Sequence, residues 1–131
     1  MLCVCIVDIR VNHADQFVAV GREVTMKCHA SNSTPVVWDY RRSKEQAFHH
    51  VYERRLIGGY EHRCSVDDST YDFTIRKVQL NDTGEYWCIE KDGFGTKHVT
   101  VLYVTGMVQL WSFVTDIFYV IIVNDNLKLT T

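Results

Sequence analysis

The chain holds a single proline and only seven scattered glycines among its 131 residues, so it contains no low-complexity linker and no compositionally disordered tract. It has no surplus of positive charge. Fourteen Lys and Arg against sixteen Asp and Glu give a net charge of -2, which removes the electrostatic reason to expect a nucleic acid partner. No internal repeat, paired-carboxylate site, glycine-rich phosphate loop or nucleophile elbow is present. The six histidines have no metal-ligand spacing, and His49 and His50 are adjacent, so on a strand they point to opposite faces and cannot grip one ion together. These absences exclude an enzyme and imply neither a metal nor a cofactor; one core fits the length, and function is to be sought at the surface.

What is present is a constellation of cysteine and aromatic residues. The run Asp82, Thr83, Gly84, Glu85, Tyr86, Trp87, Cys88 follows Cys28 with Trp38 between them. Two cysteines on strands of opposite sheets can bridge a core about 10 Å thick, with a tryptophan packed on the bridge and a tyrosine two residues before the second cysteine turning its hydroxyl onto the preceding corner. The pattern is identified as that of the immunoglobulin superfamily and implies an all-β, immunoglobulin-like V-type antiparallel β-sandwich over residues 1–104, followed by a short apolar extension, 105–131. It implies a Cys28–Cys88 disulfide and a core signature of Trp38, Tyr86 and a buried Arg63–Asp82 ion pair. A disulfide places the domain in an extracellular or lumenal compartment. Cys3, Cys5 and Cys64 remain, an odd number, so at least one thiol is free or bonded to another chain; a buried inert thiol is the reading for Cys64.

Alternation and turn chemistry set out the strands. Val4 to Val11 and Phe17 to Val20 read as a split first strand, Glu23 to His29 as the second with Val24, Met26 and Cys28 inward, and Val36 to Arg41 as the third with Val36, Trp38 and Tyr40 inward. Phe48 to Glu53 reads as an edge strand. Arg63 to Val66 and Tyr71 to Val78 follow, then the strand carrying Tyr86 and Cys88, a hairpin turn at Asp92, Gly93 and Gly95, and a last strand from Thr96 to Val104. If Tyr86 and Cys88 point inward, Trp87 and Ile89 point outward, as do Val37, Asp39 and Arg41 on the neighbouring strand. These five are the expected partner-facing residues, with Trp87 the candidate anchor.

The segments Trp38 to Arg41, Phe48 with Val51 to Glu53, and Leu80 to Gly84 resemble the V-type domains of voltage-gated sodium channel beta1 and beta3-type auxiliary subunits and of myelin protein zero-like adhesion proteins. Ser112 to Val123 is similar to the start of the membrane helix of the same channel subunits. The resemblance implies a regulatory auxiliary subunit that docks on a channel pore subunit and alters gating and surface expression. Gly93 to Lys97 is similar to the joining segment of antibody-like variable domains, which supports the alternative of a cell-adhesion or immune-type receptor domain, secreted if the tail does not span. The partner is accordingly a channel pore subunit or another immunoglobulin-type domain, a second copy of the chain included. The family's second disulfide has no counterpart here, because Ser31 stands where its second cysteine belongs.

Both ends carry expectations. Met1 to Val7 is apolar but lacks a basic n-region, so either a signal peptide is missing or these residues begin the first strand. Met107 to Val123 falls short of the about 20 apolar residues that span a bilayer and is interrupted by Gln109 and Asp116, so it is either a membrane helix begun and cut off or an extension that packs on the domain or lies on a membrane surface. Two glycosylation sequons, at Asn32 and Asn81, complete the surface features, Asn32 being the better placed.

Overall fold

The computed structural model describes residues 11–30, 34–106, 119–123 and 126–130 of the chain. Ten strands are assigned among them: β1 (Val11–Ala19), β2 (Val24–Met26), β3 (Val37–Arg41), β4 (His49–Glu53), β5 (Cys64–Val66), β6 (Phe73–Ile75), β7 (Gly84–Ile89), β8 (Lys97–Thr105), β9 (Tyr119–Val123) and β10 (Asn126–Thr130). They form a five-stranded sheet in the order β1-β8-β7-β3-β4, a three-stranded sheet in the order β2-β6-β5, and a separate β9-β10 pair. The two larger sheets make an all-β immunoglobulin-like sandwich.

The core lies where the alternating inward residues of both sheets meet. Val24 and Met26 alternate with an exposed Thr25, and Phe73 and Ile75 face them from β6. Trp38 is fully buried opposite Cys88, its ring 5.5 Å from Phe73, and its indole N–H donates to the Tyr71 carbonyl at 2.8 Å. The Cys28–Cys88 disulfide ties the two sheets with its Cα atoms 5.5 Å apart. Beside it the Cys28 amide donates to the Asp72 carboxylate at 3.0 Å.

Two departures from the sequence expectations concern the sheet edges. β1 is one continuous strand, not split, and it runs parallel to β8 rather than antiparallel. It is an edge strand, with His13, Ala14 and Asp15 exposed, so its polar middle meets water instead of breaking the strand. The Val4–Arg10 part of the expected first strand lies outside the described residues. Expected as a strand residue, Tyr71 precedes β6, half-buried at φ 61°.

The hairpin turn expected at Asp92, Gly93 and Gly95 is a short helical turn, Glu90–Gly93, in which Lys91 and Asp92 adopt left-handed φ of 51° and 57°. The buried Glu90 side chain holds it from below, 2.8 Å from His98 Nε2 on β8. The Asp92 amide donates to the Pro35 carbonyl at 2.8 Å and so fixes the turn against the chain entering β3.

In the tail, Tyr119–Val123 pairs antiparallel with Asn126–Thr130. A β-branched run, Val120 to Val123, fits a strand at least as well as a helix. No helix among the described residues is long and apolar enough to cross a membrane. The remainder of the expected membrane segment, 107–118, lies outside the described residues.

Candidate protein-docking face

The corner before β7 is built from the Asp82 side chain. A short 3-10 turn, Leu80–Asp82, is closed by Asp82 accepting from the Gln79 amide at 2.7 Å, while Arg63 donates to the same carboxylate from Nη1 at 3.0 Å and also from Nη2. Asp82 is buried and the Arg63 side chain 28 % exposed. The Tyr86 hydroxyl turns back to donate to the Asp82 carbonyl at 2.7 Å, and the Tyr40 hydroxyl donates to the Thr83 carbonyl at 2.8 Å. Burial pushes the Tyr40 hydroxyl up to about 12 and Tyr86 well above the usual tyrosine range. Gly84 follows at φ 152°, and a Cβ on it would sit 2.5 Å from the Arg41 carbonyl oxygen. This corner sets the register in which β7 presents its outward residues to β3.

In that register Arg41 pairs with Glu85, Asp39 with Trp87 and Val37 with Ile89, and on the other side Trp87 pairs with Val99. Trp87 is half-buried at the centre of an aromatic and cationic cluster. Its ring lies 4.8 Å from Phe48, with the Arg41 guanidinium 5.7 Å and the Lys97 ammonium 5.2 Å from its centroid. Arg41 is held in place by Glu85, its Nε donating at 2.5 Å and its Nη2 at 3.2 Å, and it also stacks 4.3 Å over Phe48. Asp39 bonds His50 across β3 and β4, and chiefly that hydrogen bond raises the His50 pKa. Val101 and Tyr103 extend the apolar floor along β8, and Phe17 of β1 stacks on Tyr103 at 4.8 Å. An open depression of about 740 Å³ runs over Glu85, Trp87, Val99, Val101 and Tyr103, with Lys44 on its rim.

Two of the five expected partner-facing residues do not reach the surface. Val37 is 3 % and Ile89 7 % exposed, because the Glu90–Gly93 turn folds over that end of the sheet; a Cβ on Gly93 would lie 3.8 Å from Val37 Cγ2. Alternation fixes the face a side chain is on, not what lies over it. Phe48, Lys97, Val101, Tyr103 and Phe17 belong to the face and were missed; the same alternation, carried from Trp87 across to the last strand, leads to Val101 and Tyr103.

Elsewhere, Asn81 is exposed, whereas the Thr83 hydroxyl of its sequon is buried and accepts from the Val104 amide at 3.1 Å. Asn32 lies outside the described residues. Cys64 is a buried free thiol, raised to about 11 by desolvation. Cys3 and Cys5 are outside the described residues. Among the described residues no group of three or more His, Cys, Asp or Glu is placed to hold a metal.

The family model described as immunoglobulin domain matches residues 8–91, so the chain belongs to the immunoglobulin domain family, whose members are binding and adhesion modules, not enzymes. No curated protein matches by sequence. Among solved structures, the chain is similar to the extracellular domain of the voltage-gated sodium channel beta4 subunit, at a TM-score of 0.58 and 12 % identity over 74 % of this chain and 94 % of that one. It is also similar to the N-terminal four immunoglobulin domains of Dscam1 isoform 6.44, at a TM-score of 0.56 and 16 % identity over 72 % of this chain and 23 % of that one. The CD2-binding domain of CD58 matches at a TM-score of 0.54 and 20 % identity, over 72 % of this chain and 55 % of that one. The chain thus spans about a quarter of the Dscam1 fragment and about half of the CD58 chain. At these identities the likeness is one of fold.

Proposed function

We propose that this chain is an extracellular, V-type immunoglobulin module of the adhesion and receptor kind, displayed at the cell surface or secreted, that docks a protein partner on the outer face of its five-stranded sheet. The observation that carries this reading is Trp87, a large aromatic on the outward side of a central strand, ringed by Phe48, Arg41 and Lys97. Tryptophan and arginine are enriched among the residues that dominate binding energy. The extra strand β4, which widens the β8-β7-β3 sheet, supports the V-type assignment.

Within that class, an auxiliary subunit of a voltage-gated sodium channel, modulating gating and surface expression, is the more specific reading. It is supported by the sequence resemblance and by the beta4 likeness, which spans nearly all of that extracellular domain. The beta4 structures are described as parallel homodimers that explain a role in cell–cell adhesion, and this favours a second copy as the other partner to test. The Asn81 and Asn32 sequons would make the chain a glycoprotein, and 107–123 would supply any membrane association.

The test pairs co-expression with a sodium channel pore subunit and sedimentation of the purified chain over a range of concentrations. Co-purification with altered inactivation supports the channel reading, and concentration-dependent self-association supports adhesion. In either case Trp87→Ala is expected to weaken the association by about 2 kcal/mol while leaving the thermal midpoint close to that of the wild type. Association that survives this substitution unchanged removes the face from consideration.

A further inference from the structure

Around the candidate anchor two charges are matched and one is not. Arg41 is bonded to Glu85 and Asp39 to His50. The Lys97 ammonium has no carboxylate partner among the described residues and lies over the Trp87 ring. The Trp87 indole N–H is shielded from solvent and has no acceptor among the described residues. A buried donor without an acceptor is costly, and a lysine stacked on an aromatic face exchanges that contact readily for a carboxylate. Both deficits are answered by the same chemical group, an anionic acceptor that takes the indole N–H and the ammonium together.

We infer that the Trp87–Lys97 pair is a carboxylate-receiving site, and that the partner docks by presenting an Asp or Glu side chain next to an apolar residue that lies on the Val99, Val101 and Tyr103 floor. This rests on the outer face being the docking surface. Of the two cations over the indole, Arg41 is pinned by two bonds to Glu85, so the flexible Lys97 stem is the one that swings aside. Lys44 on the rim adds positive charge on the approach. In the neighbouring Arg41–Glu85 and Asp39–His50 pairs both acids are already bonded, which disfavours a cationic partner group at these two positions.

The probe is a display library of short randomised peptides selected on the full chain. Selected peptides are expected to carry Asp or Glu beside an aliphatic or aromatic residue, and replacing that acid by its amide should weaken binding about tenfold, as expected for one charge-assisted hydrogen bond. Lys97→Met, which keeps the stem and removes the charge, should abolish the preference for acid over amide. Trp87→Phe, which keeps an aromatic ring but removes the indole N–H along with the pyrrole half, should reduce it, with thermal melts confirming that both variants are folded. Peptides that need Trp87 yet bind acid and amide forms alike would overturn the carboxylate site and leave the docking face standing. Peptides indifferent to Trp87→Ala would overturn both.

Discussion

At the scale of single residues the tightest constraint is Gly84. Its backbone passes so close to the end of β3 that a methyl group would meet the Arg41 carbonyl at 2.5 Å and Tyr40 Cε2 at 2.7 Å. The first of these is main chain in a paired strand and has nowhere to go. Gly84→Ala is therefore expected to destabilise the domain by about 3 kcal/mol or more, above the usual range for overpacking, read as a lower denaturation midpoint at unchanged m-value. A loss below about 1 kcal/mol would show that the strands separate at no cost. His50 is the contrasting case, a surface residue with a single specific partner. Its hydrogen bond to Asp39 raises its pKa above 6.5, so its stabilising effect is complete below that value and fades as pH rises through the raised one. Because the imidazole side chain is 56 % exposed, solvent keeps the contribution small and the titration itself is the better measurement. Followed by NMR, the His50 ring should titrate above 6.5, and Asp39→Asn should bring it back; a midpoint at or below 6.5 in the unaltered chain contradicts the bond.

At the scale of elements, what could be read in advance depended on whether an element has one wet and one dry face. β2, β3 and β7 do, and their inward residues Met26, Trp38, Tyr86 and Cys88 are legible from alternation alone. β1, exposed along most of its length, offers no such contrast and reads as two pieces. The Glu90–Gly93 turn read as a hairpin turn because Gly93, at φ 97°, is the one glycine among its three positive-φ residues, and Lys91 and Asp92 carry no such marker. Missing it also made Val37 and Ile89 look exposed. The corner before β7 was legible because it depends on residue chemistry, an acid whose carboxylate meets both a guanidinium and a turn amide. Asp82 serves three donors, the Gln79 amide and two Arg63 nitrogens, so Asp82→Ala strips all of them and is expected to cost about 3 to 5 kcal/mol. Arg63→Ala leaves the acid bonded to the Gln79 amide and, with Arg63 partly exposed, should cost less. Equal losses in urea unfolding of the two variants would mean that the ion pair alone matters and the turn amide adds nothing.

At the scale of the whole molecule the weaker layer is the three-stranded sheet, whose strands are three residues each. It is held to the five-stranded sheet by the apolar core, the Arg63–Asp82 pair and one covalent tie. The Cys28–Cys88 bond closes a loop of 60 residues, which on the chain-entropy model contributes about 4 kcal/mol, a large share of the 5 to 15 kcal/mol typical of a native domain. A fold so dependent on one disulfide belongs in an oxidising compartment, where a further thiol is a hazard through exchange. Burial removes the hazard: Cys64, raised to about 11, carries almost no thiolate at neutral pH, so it neither attacks the bridge nor reacts with alkylating reagents while the sandwich is closed. Replacing both bridge cysteines by alanine should then lower stability by about 4 kcal/mol and raise the rate at which iodoacetamide labels Cys64, mapped by mass spectrometry of its peptide. The two quantities should move together, because labelling requires the same opening that the bridge resists. Rapid labelling of Cys64 in the intact chain, at a rate the bridge does not change, would mean instead that β5 opens on its own while the rest of the sandwich stays folded.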